Sequence, residues 1–348
     1  TISPEDCAQD GLKVRVCGRC GERAYAVVPA RHDDADHDGV CDRCGQKVAV
    51  ISSGTFGENV DYTLSEDGTL VLSGSGATRD FSSGNSPLAS YCQYVRRLIV
   101  REGVTALGAY ALKGCTALET ISLPDSVTSI GQYAFSDCSS LKTVSLPDGV
   151  TYIGQYAFSY CTSLRTAALP TGISSLDYSV FQGCVSLTAF SVPEDHPSYC
   201  VEDGALYNAD RTTLVLWPTG KTASDVVFPA TLTTIGSYAF YRCSSLTSVD
   251  LPEELTTIGD NAFAYCSALT SVDLPEGLTT IGRYAFYGCS SLTSVDLPDS
   301  VTYLGNNAFD NCSALSAVRL PQNLTQLSSN VFRNCSPLKR LTLPERLR

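Results

Sequence analysis

The segment LTSVDLPEELTTIGDNAFAYCSA (residues 246–268) is followed directly by LTSVDLPEGLTTIGRYAFYGCSS (residues 269–291), nearly the same sequence displaced by 23 residues. The unit recurs along most of the chain. A fixed period of roughly 20 to 50 residues is typical of solenoids, in which each unit buries its apolar face by stacking on its neighbours. The sequence therefore predicts a repeat solenoid.

The first part of each unit has the alternating pattern of a short β-strand. In LTSVDLP, Leu246, Val249 and Leu251 are predicted to point inward, while Ser248 and Asp250 are predicted to point outward. The proline ends the strand where a ladder donor is no longer needed. We therefore predict one short strand per 23-residue coil, paired in parallel with its copies at a spacing of about 4.8 Å.

The second part of each unit completes the core. Ile258, Ala262 and Phe263 are predicted to form the opposite wall, and Gly259 is predicted to provide a tight bend. Each unit also has one cysteine, three residues after the phenylalanine position, and one interpretation is that these cysteines serve metal or redox chemistry. Because equivalent thiols in an odd number cannot all pair off, we interpret them instead as small buried hydrophobes with weak S–H donors. These cysteines are Cys115, Cys138, Cys161, Cys184, Cys243, Cys266, Cys289, Cys312 and Cys335.

The prolines that close the strands define the domain organisation. They recur in steps of 23 residues, except for a step of 36 between Pro193 and Pro229. Residues 96–348 are therefore predicted to form the repeat array, with an enlarged coil at about 194–226 whose sequence ALYNADRTTLVLW predicts a hairpin. Residues 51–95 predict a β-hairpin cap that turns at residues 66–68, because the first coil of a solenoid needs a cover. Residues 1–50 contain no repeat and are predicted to form a small Cys-rich module.

Composition narrows the functional classes. The 348-residue chain has a formal net charge of −12 and a pI near 4.7. This argues against nucleic acid as a partner, because nucleic-acid binding needs a concentrated positive surface. The charge is compatible with an exported protein that captures a basic partner or a cation. No apolar run approaches the roughly 18 residues of a membrane span. The chain begins at Thr1 without a signal peptide, and we expect that the native start is missing.

The unit LPxxVTxIGxYAFxxCxSLTSV resembles the BspA-like leucine-rich repeat, also called the Treponema-type repeat, over about residues 96–348. The segments SGTFGENVDYTLSEDGTLVLSGSGA (53–77) and DGALYNADRTTLVLWP (203–218) are also similar to pieces found in that family. The resemblance implies a secreted or cell-surface bacterial protein that binds host or bacterial proteins. It supplies no catalytic residues.

Two CxxC pairs in the N-terminal module have the spacing of a zinc site. Cys17 and Cys20 form one pair, and Cys41 and Cys44 form the other, each pair being followed by glycine. Four thiolates would close the coordination shell, so the candidate site is structural and not catalytic. The alternative is two disulfides in an oxidising environment, with Cys7 as a further partner.

An acidic loop beside the second pair has the ligand spacing of an EF-hand-type Ca²⁺ loop. The candidate ligands are Asp34, Asp36, Asp38 and Asp42. The last position of the loop is Gly45 in place of the bidentate glutamate, so one ligand is missing. The loop is more similar to thrombospondin type 3 or dockerin loops than to a full EF-hand. The alternative is a solvated acidic turn.

The outward strand positions of three consecutive coils offer a contact surface, which we name the strand face. Its candidate partner-binding residues are Ser248, Asp250, Ser271, Asp273, Ser294 and Asp296. Carboxylates about 5 Å apart repel each other, so a cation or a basic partner offsets the repulsion, or solvent and salt screen it. Arg319 continues the row and is predicted to neutralise Asp296.

A row of tyrosines occupies another position of the repeat, and asparagine replaces tyrosine in some units. From the asparagines we expect this position to be at least partly exposed, and we interpret the rings as a cover over the phenylalanines. The row consists of Tyr110, Tyr133, Tyr156, Tyr238 and Tyr284, with Asn261, Asn307 and Asn330 as the replacements.

Three functions follow as hypotheses. The first is a non-catalytic extracellular module for adhesion, which binds a protein or a glycan on a host or bacterial surface. The second is a structural spacer that displays another domain, suggested by the end of the chain just after a strand. The third is a hydrolase beside the enlarged coil, which carries Asp195, His196 and Trp217, although no nucleophile–base pattern is present.

Overall fold

The computed structural model describes residues 48–221 and 228–347, together with the backbone of β1 (Leu12–Val16) and β2 (Arg23–Val27). β1 and β2 pair antiparallel, with Leu12 opposite Val27. The rest of the described chain is a solenoid of short β-coils that repeat every 23 residues, as in the step from Thr143 to Thr166. The predicted fold class is therefore confirmed. The described residues contain no helix long and apolar enough to cross a membrane.

An antiparallel sheet covers the first coil. It consists of β3 (Val50–Thr55), β4 (Val60–Ser65) and β5 (Thr69–Gly74), and the hairpin between β4 and β5 is the predicted one. Asp67 fixes its turn by accepting a hydrogen bond from the Thr69 amide at 2.9 Å. Leu70 and Leu72 of β5 are fully buried and belong to the core of the first coils.

The LTSVDLP motifs form a first ladder of parallel strands. β5 pairs in parallel with the first of them, and the register advances by one repeat wherever consecutive motifs pair. The ladder is divided into three sheets, with one break between Thr120–Ser122 and Thr143–Ser145 and another after Ala189–Ser191. Around residues 246–273 the ladder thins to a single bridge between Asp250 and Asp273. The strands are β7 (Arg97–Val100), β9 (Thr120–Ser122), β11 (Thr143–Ser145), β13 (Thr166–Ala168), β14 (Ala189–Ser191), β21 (Ser294–Asp296) and β23 (Ala317–Arg319).

A second ladder lies on another side of the coils, in two separate sheets. The first sheet holds β6 (Gly76–Ala77), β8 (Val104–Leu107), β10 (Ser129–Ile130) and β12 (Tyr152–Ile153). The second holds β17 (Thr213–Leu216), β18 (Thr234–Ile235), β19 (Thr257–Ile258), β20 (Thr280–Ile281) and β22 (Tyr303–Leu304). The sequence analysis, which assigned one strand to each coil, missed this ladder. Strands of two residues are too short to show an alternating pattern.

The core runs through the centre of the coils as columns of equivalent side chains. Leu246, Val249 and Leu251 point inward as predicted, and Ile258 and Phe263 form the opposite wall. The phenylalanines of consecutive coils stack on one another, with ring centroids 4.8 Å apart between Phe240 and Phe263. Each coil therefore completes the core of its neighbour, as the repeat predicted.

The enlarged coil extends the second sheet of the second ladder by an antiparallel meander. β15 (Tyr199–Glu202) pairs with β16 (Ala205–Asn208), and β16 pairs with β17. The hairpin between β16 and β17 is the predicted one, and the Asn208 carboxamide fixes its turn by accepting a hydrogen bond from the Thr213 amide at 2.8 Å. A short 3-10 helix, Tyr178–Phe181, precedes the meander.

Glycine determines how closely consecutive coils approach along the second ladder. A Cβ atom on Gly154 would lie 2.5 Å from the Gln132 nitrogen, and one on Gly259 would lie 2.6 Å from the Ser237 nitrogen. The φ angle of Gly259 is not in the left-handed region, so close approach, and not the predicted tight bend, is what requires glycine here. The same position is occupied by Gly108, Gly131, Gly154, Gly236, Gly259, Gly282 and Gly305.

Two coils outside the enlarged one replace this glycine, with Asp177 and with Ser328. In both coils the second ladder is interrupted: β12 has no partner in the coil of Asp177, and β22 has none in the coil of Ser328. In a regular coil the Gly154 amide donates to the Ile130 carbonyl at 2.8 Å. A side chain at this position has no room against the preceding coil, so the coils separate and these hydrogen bonds are lost.

Candidate binding surfaces

The strand face is solvent-exposed in the last coils. Val249, Val272 and Val295 are buried between its outward residues, so the predicted alternation is confirmed. The structure brings all six candidate residues to one surface, and their role in binding a partner stays a prediction. These exposed residues are Ser248, Asp250, Ser271, Asp273, Ser294 and Asp296.

The carboxylates of the strand face are only partly neutralised. Asp250 and Asp273 stand directly opposite each other in the ladder, and within the described chain neither carboxylate has an ion-pair partner. Arg319 lies 3.4 Å from Asp296 and 3.2 Å from Asp299, which confirms the predicted neutralisation of Asp296. Earlier coils carry only small uncharged residues at this position, namely Ser122, Ser145, Ala168 and Ser191. The acidic charge is therefore confined to the C-terminal coils.

The tyrosine row is held in a left-handed backbone conformation. Tyr133 has a φ of 56° and Asn261 also has a φ of 56°. Asparagine tolerates this conformation better than most residues, which explains the replacement better than exposure does, because Asn307 is buried. The rings of Tyr133 and Tyr156 stack with centroids 4.8 Å apart and are half-buried. Stacking between coils is therefore the main contact of these rings.

The repeat cysteines form a buried column of free thiols, as predicted. The Cys266 thiol donates to the Phe240 carbonyl at 3.1 Å, and Cys289 contacts the Phe263 carbonyl in the same way at 3.2 Å. The bond joins each coil to the preceding one. Burial raises the pKa of Cys335 to about 11 and that of Cys266 well above the ordinary value, so these thiols stay protonated and unreactive near neutral pH.

Two of the side chains considered for a hydrolase beside the enlarged coil, His196 and Trp217, are buried. His196 is buried, and its Nδ1 accepts hydrogen bonds from the amides of Ser198 and Tyr199 at 3.1 and 3.2 Å. The Nε2 atom then carries the proton and donates to the Pro170 carbonyl at 3.1 Å. Both ring nitrogens are thus committed to the backbone. Trp217 is buried in the core, and we assign both side chains a structural role.

The metal candidates of the N-terminal module lie outside the described residues. This applies to the zinc candidates Cys17, Cys20, Cys41 and Cys44 and to the Ca²⁺ candidates Asp34, Asp36, Asp38 and Asp42. Both sites stay predictions. Within the described part of the chain, no group of three or more His, Cys, Asp or Glu residues is placed to hold a metal ion.

The replaced glycines create hollows that sequence reasoning missed. Around Asp177 the separation of the coils leaves two adjoining lobes of about 410 and 300 Å³, which we name the junction hollow. Ser175 and Asp177 line both lobes. A hollow of about 340 Å³ lies beside Ser328, and we name it the end hollow. The signal in the sequence is SSLDYSVF (174–181) where a regular coil reads TYIGQYAF (151–158).

Comparison with known proteins supports the fold. A family profile described as the BspA type leucine-rich repeat region matches residues 88–209 and 220–339 with six copies. No curated protein matches the chain.

Solved structures of bacterial leucine-rich repeat proteins are similar along most of the chain. A leucine-rich repeat protein from Eubacterium ventriosum is 24% identical, with a TM-score of 0.67 over 86% of this chain and 92% of that chain. The pneumococcal vaccine antigen PcpA is 20% identical, with a TM-score of 0.59 over 86% and 92%. A leucine-rich cell surface protein from Faecalibacterium prausnitzii is 23% identical, with a TM-score of 0.52 over 83% and 93%. At these identities the likeness concerns the fold.

Proposed function

The chain belongs to the BspA-type leucine-rich repeat family, and from this premise we propose that it is a non-catalytic binding module that works outside the cell. In this proposal it docks a protein with a basic surface on the strand face. The structurally similar Faecalibacterium protein is described as a cell surface protein, which favours a location at the cell surface or in secreted form. Burial of the repeat thiols fits such a location, because buried protonated thiols resist oxidation.

One observation carries the proposal: the exposed carboxylates of Asp250 and Asp273 lie side by side in the ladder, and within the described chain neither has an ion-pair partner. Neighbouring like charges on one face of a ladder are destabilising. A bound cationic surface would remove this repulsion and gain steering from the acidic field. Exposed Glu253, Glu254 and Glu276 extend the negative surface along the adjoining turns.

The repeat array is better suited to binding a partner than to catalysis. Consecutive coils present equivalent side chains at a regular spacing, and such extended surfaces are what solenoids use for binding. Of the two titratable groups proposed for a hydrolase, His196 is bound to the backbone through both ring nitrogens, and Asp195 is exposed to solvent.

The experiment is a binding screen on purified extracellular-matrix and mucosal-surface proteins that span basic to acidic isoelectric points. We expect basic proteins to be retained, and we expect the triple variant D250N/D273N/D296N to bind at least about ten-fold more weakly, because charge pairs across an interface contribute to affinity and association rate. Retention should also fall as salt rises from about 0.05 to 0.5 M, since salt screens exposed charges.

The matched control removes the same charge elsewhere. Glu102, Asp125 and Glu194 are exposed, and E102Q/D125N/E194Q changes the net charge of the chain equally. If this control weakens binding as much as the strand-face variant does, net charge and not the strand face is responsible. If no basic protein is retained by the wild-type chain, the proposal is wrong.

A further inference from the structure

The junction hollow lies where the repeat fails and is separate from the strand face. It opens on the side of the second ladder, whereas the strand face belongs to the first. The two lobes of about 410 and 300 Å³ are in the size range of ligand sites. Because Asp177 stands between the lobes and keeps the coils apart, the same residue that opens the hollow also presents a carboxylate inside it.

Hydrogen bonds hold the Asp177 carboxylate in place, and the carboxylate can still accept a further hydrogen bond. Its Oδ1 atom accepts a hydrogen bond from the backbone amide of Ser179 at 2.8 Å and another from the Ser179 hydroxyl. Its Oδ2 atom accepts a hydrogen bond from the side-chain Nε2 of Gln155 at 3.1 Å. Burial opposes its ionisation, but the hydrogen bonds from Ser179 and Gln155 outweigh burial and lower its pKa. A carboxylate offers about four acceptor positions, so one remains for a hydroxyl donor on a ligand.

Aromatic rings flank this carboxylate in both lobes. In the larger lobe Tyr178 and Tyr238 stack with centroids 3.6 Å apart, and both rings line the wall. In the smaller lobe Tyr152 is 59% exposed. Aromatic faces carry partial negative charge and attract the positively polarised C–H faces of a ligand. Hydroxyls of Ser175, Thr213 and Ser237 and the side chains of Gln132 and Gln155 supply further donors and acceptors.

The charge of the lining selects the ligand class. Among the described residues that line the two lobes, Asp177 is the one with a charged side chain, and none is Lys or Arg. An anionic ligand would therefore be repelled. Hydrolysis of a glycoside needs a pair of carboxylates, one of them with a raised pKa. The described lining of the junction hollow offers one carboxylate, that of Asp177, and its pKa is lowered.

From these features we propose that the junction hollow is a binding site for a neutral oligosaccharide. Sugar C–H faces pack on Tyr152 and on the Tyr178–Tyr238 pair, and a sugar hydroxyl donates to Asp177. The site binds without cleaving. It does not depend on the proposed protein-docking function, because the D250N/D273N/D296N variant leaves the hollow intact and should bind the oligosaccharide like the wild type.

The test is an array of neutral, sialylated and sulfated oligosaccharides probed with the purified chain, followed by calorimetric titration of the neutral compounds it retains. We expect neutral compounds to be preferred. D177N keeps the size and the capping oxygen of the side chain but removes the charge, and it should lower affinity about ten-fold or more, as expected for a lost charged hydrogen bond. Y152A removes an exposed ring and should lower affinity by a similar factor.

The end hollow provides the matched control. Tyr303 occupies the same position in its coil as Tyr152, is 44% exposed and lines the end hollow beside Ser328. Y303A should therefore bind the neutral compounds like the wild type, and circular dichroism of all variants checks that each is folded. Preference for sialylated or sulfated compounds, or equal affinity of D177N, Y152A and the wild type, would each overturn the proposal.

Discussion

The coil at residues 275–297 and the coil at residues 170–192 follow the same 23-residue pattern, but only the first is joined to the preceding coil along the second ladder. In the first, Gly282 donates to the Ile258 carbonyl at 2.8 Å, and Thr279 donates to the Thr256 carbonyl at 2.9 Å. In the second, Asp177 takes the place of that glycine, and the described part of the chain shows no equivalent bond. The two coils therefore differ through one side chain at a crowded position: glycine leaves the ladder closed, and aspartate leaves an open hollow.

This difference shows two ways in which a solenoid can arrange side chains for binding. Regular coils repeat the same outward side chain and produce a row, such as the carboxylates of the strand face. An irregular coil produces a concave site in which different side chains converge, such as Asp177 with Tyr178 and Tyr238. The row suits a large charged partner, and the hollow suits a small ligand.

Alkaline pH should affect the regular coils most strongly. Burial raises the thiol pKa of Cys138, Cys243, Cys266, Cys289, Cys312 and Cys335. Because the folded pKa exceeds the unfolded value of about 8.5, their contribution is intact below that pH and is lost as the pH rises. We expect the free energy of unfolding to fall by roughly 1.4 kcal/mol per pH unit for each such thiol above about pH 8.5, measured by urea unfolding.

In the variant C266A one of these thiols is missing, so the free energy of unfolding should fall less steeply with pH, by the contribution of one thiol. The variant should also be less stable at neutral pH, because the substitution leaves a cavity. Stability that stays level from neutral pH to about pH 10 would contradict the account of the thiols as protonated core residues.

Replacing a ladder glycine in a regular coil should reproduce the irregular one. A side chain on Gly259 would meet the Ser237 nitrogen at 2.6 Å, so G259D must separate the coils and break the bond from the Gly259 amide to the Ile235 carbonyl. We expect a loss of about 2 kcal/mol or more in the free energy of unfolding. The control is G277D, since a Cβ atom on Gly277 meets its nearest neighbour only at 3.3 Å, and Glu254 already occupies that position in another coil. Equal losses in both variants would count against the role of close approach.

The sequence specified the fold through its period and the core through its apolar columns. The inward positions of Leu246, Val249 and Leu251 and the exposure of Asp250 follow from the alternation of LTSVDLP and are found in the structure. The hairpins of the cap and of the enlarged coil follow from local turn chemistry. These features depend on neighbours in the chain or on a repeated pattern, which a single sequence displays directly.

The junction hollow could not be read in the same way. Its opening depends on a contact between Asp177 and a coil 23 residues earlier, and a glycine in the sequence does not reveal whether it serves a bend or a close approach. Tyr178 precedes the enlarged coil and Tyr238 follows it, and only the fold brings their rings together. His196 was considered because it lies beside the enlarged coil, and the sequence could not show that the residue is buried with both ring nitrogens bonded to backbone atoms.

The smallest expected effect concerns the opposite substitution, which gives the irregular coil the glycine of a regular coil. Restoring glycine with D177G removes the side chain that separates the coils, at a cost of only a few tenths of a kcal/mol for the cap of the 3-10 helix. The amides near residues 174–177 should then gain ladder partners and exchange more slowly with deuterium, by roughly five-fold for each hydrogen bond worth about 1 kcal/mol. S328G is the matched variant, and its slower exchange should appear near residues 325–328 alone. If neither variant slows exchange beside its own substitution, the side chain does not hold the coils apart, and the hollow must depend on the enlarged coil itself.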